Sequence, residues 1–100
     1  MFVFETVEGN ELKVFFRYVR EHVPARPHKE SSRPHMRPVG TTCMVCDESQ
    51  TVVGLGYVRC HFKDRFTYKG GRKHALRVAM SEMGLDRDSR KNAWDALLNM

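Results

Sequence analysis

The residues in this chain with the clearest capacity for chemistry are a run of glycines and bases, Lys69-Gly70-Gly71-Arg72-Lys73, at the expected start of a helix. A helix N-terminus carries unpaired N–H groups and roughly half a positive charge, so acidic side chains are its usual companions. Bases there oppose the helix field unless an anion sits among them. Two glycines let an anionic ligand approach the backbone, and Arg72 and Lys73 can reach the same point, with Arg77 one turn further on. Phe62, Phe66 and Tyr68 flank the run, and an aromatic ring beside a phosphate cradle is an arrangement that holds nucleotides. The run is not a Walker motif, which needs a longer loop and a Ser or Thr after the lysine. The competing reading is a solvated basic face behind a glycine-rich turn, with Phe66 covering the core.

Other candidate chemistry is weaker. Cys43-x2-Cys46 and Cys60-His61 superficially supply four zinc ligands. On strands, however, residues three apart face opposite sides, as adjacent residues do, and Met44 and Val45 are strand formers rather than a tight knuckle. Buried thiols are expected, structural zinc is the alternative, and neither a metal nor another cofactor is assigned. Three cysteines are too few and odd in number for a secreted disulfide framework, which favours a reducing compartment. Around His61 and Asp64 no nucleophile motif or carboxylate pair appears, so binding without catalysis is expected. His28, His35 and His74 each lie close to bases, as solvated or anion-contacting groups do.

The elements that must position these residues fit in one small domain. One hundred residues, 41% hydrophobic and 29% charged, allow a single core. FVFETV and LKVFFRYV read as a hairpin around the turn EGN, with Leu12, Val14, Phe16 and Tyr18 on one face. All four prolines fall in 24–38, which predicts an exposed basic loop over 24–40 that neither helix nor central strand can cross. TTCMVC, the turn DESQ and TVVGLGYVRCH read as a second hairpin, in which Gly54 and Gly56 mark a bulge or a close approach by another backbone. Two helices follow within 71–98. The first runs from about Gly71 to Met83 with Leu76, Ala79, Met80 and Met83 inward, and Gly84 stops it. The second is capped by Asp86 or Asp88, with Ala93, Trp94, Leu97 and Leu98 inward. The expected fold is α+β: an antiparallel sheet of about four strands, then two C-terminal helices on one face.

Charge narrows the partners. The net charge is +5, and the excess sits in residues 24–40, net +3, and residues 62–84, net +4. An anionic partner is implied. No apolar run approaches the roughly 18 residues of a membrane span, and the first residues carry acids where an export signal needs bases. A helix-turn-helix reading of the two helices is disfavoured by Asp86 and Asp88 at the start of the second. Apolar residues on both sides of the second strand, including Phe15 and Val19, predict a homo-oligomer, a dimer or higher. The competing cover for that face is the 24–40 loop folded back on it.

The C-terminal part also carries a recognisable pattern. Cys60-His61-x2-Asp64-x-Phe66, then Gly71-Arg72-Lys73-x-Ala75-Leu76-x2-Ala79-Met80, then Arg87-x2-Arg90-x3-Trp94, resembles small bacteriophage and prophage proteins that include the phage Thoeris anti-defence proteins. Those proteins bind a cyclic ADP-ribose immune signal and sequester it uncleaved. The resemblance covers residues 57–98, with Phe62 and Val78 where proline and arginine are common in the pattern. It implies a cytoplasmic protein of an infected bacterial host that is an oligomer with ligand at its subunit interfaces. Together with the basic run it nominates Arg59, Asp64, Phe66, Gly71, Arg72, Lys73, Arg77, Arg87 and Arg90 as ligand-binding residues. The alternative function is a basic interaction module that binds nucleic acid or inhibits a host or CRISPR nucleoprotein, with 24–40 as its arm.

Overall fold

A computed structural model describes residues 1–28, 30–60 and 65–100. Four strands, β1 (Phe2–Glu5), β2 (Glu11–Val23), β3 (His35–Cys46) and β4 (Val52–Arg59), form one antiparallel sheet in the order β1-β2-β3-β4. Helices α1 (Tyr68–Met83) and α2 (Arg87–Leu98) follow. Both lie on one face of the sheet, α1 over β3 and β4 and α2 over β1. This is the α+β arrangement expected from the sequence. None of the described helices is long and apolar enough to cross a membrane.

The turns form where local chemistry dictates. Gly9 adopts φ 87° between β1 and β2, and the Asp47 side chain accepts from the amides of Ser49 and Thr51 between β3 and β4. Gly84 ends α1 with φ 67°, and the Asp86 side chain accepts from Ser89 N–H to cap α2. The hydrogen bond from Ser89 draws the Asp86 carboxyl below its ordinary range. Two further bonds pin α2 to the first hairpin. The buried Ser89 hydroxyl accepts from Val7 N–H at 3.0 Å, and Asn92 donates to the Glu5 carbonyl at 2.8 Å.

Alternation along the strands sends Phe2, Phe4, Leu12, Val14, Cys43 and Val45 to the helical side, where they meet Ala75, Leu76, Ala79, Met80, Ala93 and Leu97. Trp94 and Met83 pack at the margin of this core. Leu98, expected inward, is 67% exposed, because it points about 100° around the helix from Leu97, which takes the core-facing position in the last turn of α2.

Three sequence expectations need correction. β3 begins at His35, not Thr41, so the connection is 24–34 rather than 24–40. It runs through Pro38 because β3 is paired there with β2 alone: the pairing of β4 reaches only Gly40, and the register shift that leaves Val39 unpaired lies next to it. A bulge on a locally exposed edge is where a sheet tolerates proline. The competing reading, with this segment folded back over the sheet's second face, does not hold either, since Val19, Leu55 and Tyr57 on that face are exposed. Finally, α1 starts at Tyr68, with Thr67 as its cap, so Gly70 and Gly71 are its first-turn residues rather than a preceding loop.

The glycines of β4 do admit another backbone. A Cβ on Gly56 would overlap the Ala75 carbonyl oxygen and stand 2.6 Å from Ala79 N, and one on Gly54 would overlap the Met83 side chain. The sheet thus receives α1 at a distance that only glycine allows, and β4 also carries the second register shift, beside Val53. Gly56→Ala must push α1 off the sheet, and a loss of about 1–3 kcal/mol is expected from overpacking. Urea unfolding should show the lowered midpoint; a Gly56→Ala protein as stable as the parent would contradict this packing.

Candidate functional site

Helical spacing divides the bases of α1 among three surfaces. Gly70, Gly71 and His74 lie on one, Lys69, Arg72 and Lys73 on a second, and Arg77 on a third. Each meets different neighbours, so the residues nominated by sequence do not form one site.

The first surface closes a recess at the start of α1. Thr41 and Val58 of the sheet, Arg59 and Cys60 at the end of β4, Arg65, Phe66 and Thr67 before α1, and Gly70, Gly71 and His74 on α1 surround this space of about 410 Å³. That lies in the size range of small-molecule sites. Among the described residues its lining holds Arg59, Arg65 and His74 and no carboxylate. The recess borders the N-terminus of α1, whose first turn has no acidic residue.

The helix end differs in detail from the cradle expected of two glycines. Thr67 accepts from Gly70 N–H with its hydroxyl and from Gly71 N–H with its carbonyl. Capping therefore occupies both glycine amides and leaves the Tyr68 and Lys69 amides as those the helix end can offer. Gly71 serves packing: a Cβ there would collide with the Thr41 hydroxyl. That hydroxyl is fully buried on the floor of the recess and has no hydrogen-bond partner among the described residues. A polar group left unmade in this way is costly and uncommon in folded proteins.

Phe66 forms one wall and continues into an aromatic cluster outside it. Its ring meets Tyr68 at 5.2 Å and Tyr18 at 6.4 Å, and Tyr18 meets Tyr68 at 4.6 Å, all nearly perpendicular. Arg72 supports this cluster by donating to the Tyr18 hydroxyl at 3.0 Å. Arg72 and Lys73 line a separate, smaller depression with Leu97, Leu98 and Met100.

The remaining nominated residues lie apart. Arg77 and Arg90 share a groove between the helices with Trp94, and Arg87 lines neither this groove nor the recess. Asp64 and Phe62 fall outside the described residues. The Arg59 guanidinium donates to Glu21 at 3.0 Å, and that bond, followed by one with Tyr57, raises its pKa further. Glu21 also accepts from Arg37, chiefly for which its carboxyl sits below the usual range, with partial desolvation acting against the shift. The structure thus gathers Arg59, Phe66 and the glycine pair Gly70 and Gly71, and adds Thr41, Arg65, Thr67 and His74. Of the additions, Thr67 carried a readable signal, as a Thr three residues before the glycine whose amide it caps.

Cys43 and Cys46 lie on β3 and are buried, as the strand reading implied. Desolvation pushes the Cys43 thiol up to about 12, which makes it unreactive at neutral pH. Among the described residues no three His, Cys, Asp or Glu side chains gather closely enough to hold a metal ion. Compared with protein-family models, curated proteins and solved structures, the chain matches none.

Proposed function

We propose that the recess between the end of β4 and the start of α1 binds a phosphate-bearing cyclic nucleotide and holds it without breaking a bond. The observation that carries this reading is the lining itself: two arginines, a histidine and an aromatic wall beside a helix N-terminus, with no carboxylate among the described residues. Anions gain from such a place through the helix field and the cations together. Arg65 and His74 meet the phosphates, Phe66 stacks on a ring, and the Tyr68 and Lys69 amides complete the anion contacts. Arg59 keeps its bond to Glu21 and contributes its field. In this reading the chain is an anti-defence protein of a bacteriophage. It works in the host cytoplasm by withdrawing a cyclic ADP-ribose type of immune signal.

The test is titration calorimetry with cyclic ADP-ribose isomers and cyclic dinucleotides. Saturable binding is expected for at least one of them, weakened about 10- to 100-fold by Arg65→Ala, as loss of a charged hydrogen bond predicts. The ligand should be recovered intact after the protein is denatured. Absence of saturable binding, or recovery of a cleaved ligand, contradicts the proposal.

The same reading includes self-association through the sheet face that the helices leave open. Register places Phe15, Met44 and Leu55 side by side on that face, with Tyr57 in the next row and Val19 beyond. Val19 is 36%, Leu55 48% and Tyr57 48% exposed. A second copy related by a two-fold axis buries this patch, and the outer edge of β4 offers further unpaired backbone groups. Light scattering on a size-exclusion column should give at least twice 11.6 kDa at micromolar concentration. A monomer mass would contradict the self-association.

A further inference from the structure

Beyond the sheet, β2 and β3 continue as a two-stranded ribbon that no other element covers. β1 pairs only with residues 11–14, and the pairing of β4 ends at Gly40, while Arg20–Val23 remain paired with His35–Pro38. The molecule is accordingly elongated, 59 × 25 × 23 Å, with a radius of gyration of 16.6 Å. A compact chain of this length has about 13 Å. The register shift at Val19/Arg20 marks where the ribbon leaves the sheet, and such shifts sharpen the twist.

The ribbon is basic and poor in bulky apolar groups. Arg20, Arg26 and Arg33 are exposed and form no ion pair among the described residues; of the two acids, Glu21 is satisfied by Arg37 and Arg59, and Glu30 at the tip is exposed. Three histidines, His22, His28 and His35, lie along it, and its tip is tied by Arg26 N–H donating to the Ser32 hydroxyl at 2.6 Å. Pro24, Pro27 and Pro34 restrict the tip, which lowers the entropy lost when it is held by a partner.

We infer that this ribbon is a binding arm for double-stranded DNA, independent of the nucleotide recess. Charge selects a polyanion. A bilayer or protein partner would call for several aromatic or large aliphatic anchors, and residues 20–37 contain no Phe, Trp, Tyr, Leu or Ile and one exposed large apolar side chain, Met36. Shape selects the duplex: two strands about 4.8 Å apart, with their side chains, fit a B-form major groove about 12 Å wide. The deep, narrow major groove of double-stranded RNA does not admit them. Arg20, Arg26 and Arg33 then lie against the phosphates.

Fluorescence anisotropy of the full chain with a labelled 20-base-pair duplex tests the inference. Three phosphate contacts predict a salt slope of about −2.7, or roughly 40-fold weaker binding at 200 mM than at 50 mM NaCl. The variant Arg20→Ala/Arg26→Ala/Arg33→Ala should lose at least tenfold at 50 mM, and the single tip change Arg33→Glu should weaken binding on its own. Lys69→Ala/Lys73→Ala, which removes two bases from α1, should leave affinity within about twofold. Arg65→Ala should not change DNA binding, and the ribbon variants should not change the nucleotide titration, so either proposal can fail alone. The inference is overturned by no binding at micromolar protein. Equal losses in the ribbon and α1 variants, or tighter binding to single-stranded DNA, double-stranded RNA or anionic vesicles, overturn it as well.

Discussion

The contact on which the rest of the molecule depends is the one between α1 and the glycines of β4. At Gly56 the helix backbone stands where a side chain would be, with Ala75 and Ala79 against the strand. This close approach fixes the height of α1 above the sheet, and Gly71 repeats it one strand over, against Thr41. Small residues on both surfaces replace the usual interdigitation of side chains with backbone contact. The helix start is thereby held beside the end of β4, and the recess is the space left between them. A larger residue at any of these positions would tilt or lift the helix and change the recess with it.

Charge is arranged around this frame in two separate places. Near the recess, Arg59, Arg65 and His74 surround a helix end that already favours anions, and of these Arg59 is paired with the Glu21 carboxylate. On the ribbon, the bases are spread along a thin projection where water screens them from the fold. Glu21 lies between the two places and binds an arginine from each side, Arg37 of the ribbon and Arg59 of β4. It ties the root of the ribbon to the sheet and absorbs two of the cations. What remains unpaired is concentrated at the recess and toward the ribbon tip.

Much of this was legible in the sequence where the cause is local. Gly9, Asp47, Gly84 and Asp86 each act within a few residues of themselves, and strand alternation identified the side of the sheet that α1 and α2 cover. The ribbon was not legible, because a proline breaks a sheet only if both edges of its strand are paired. Whether β4 reaches Pro38 is a fact of tertiary structure. The site was half legible for a similar reason: spacing shows which residues of a helix share a face but not what that face meets. Arg72 and Lys73 were grouped with Gly71 by proximity in sequence, yet the packing of α2 and Tyr18 turns them to other neighbours. Arg65 and His74 lie either side of Gly71 within residues 65–74, but Thr41 joins them from β3, a contact that no motif announces.

The central claim is that the anion site lies at the recess rather than at the bases further along α1. It is tested most directly by amide NMR of the isotopically labelled protein during titration with cyclic ADP-ribose. The account predicts that the Arg65, Tyr68, Lys69 and His74 resonances move together and saturate, while those of Leu97–Met100 and of Arg77 and Arg90 stay in place. Shifts confined to the Arg72, Lys73 and Leu97–Met100 surface, or to the groove between the helices, would contradict it.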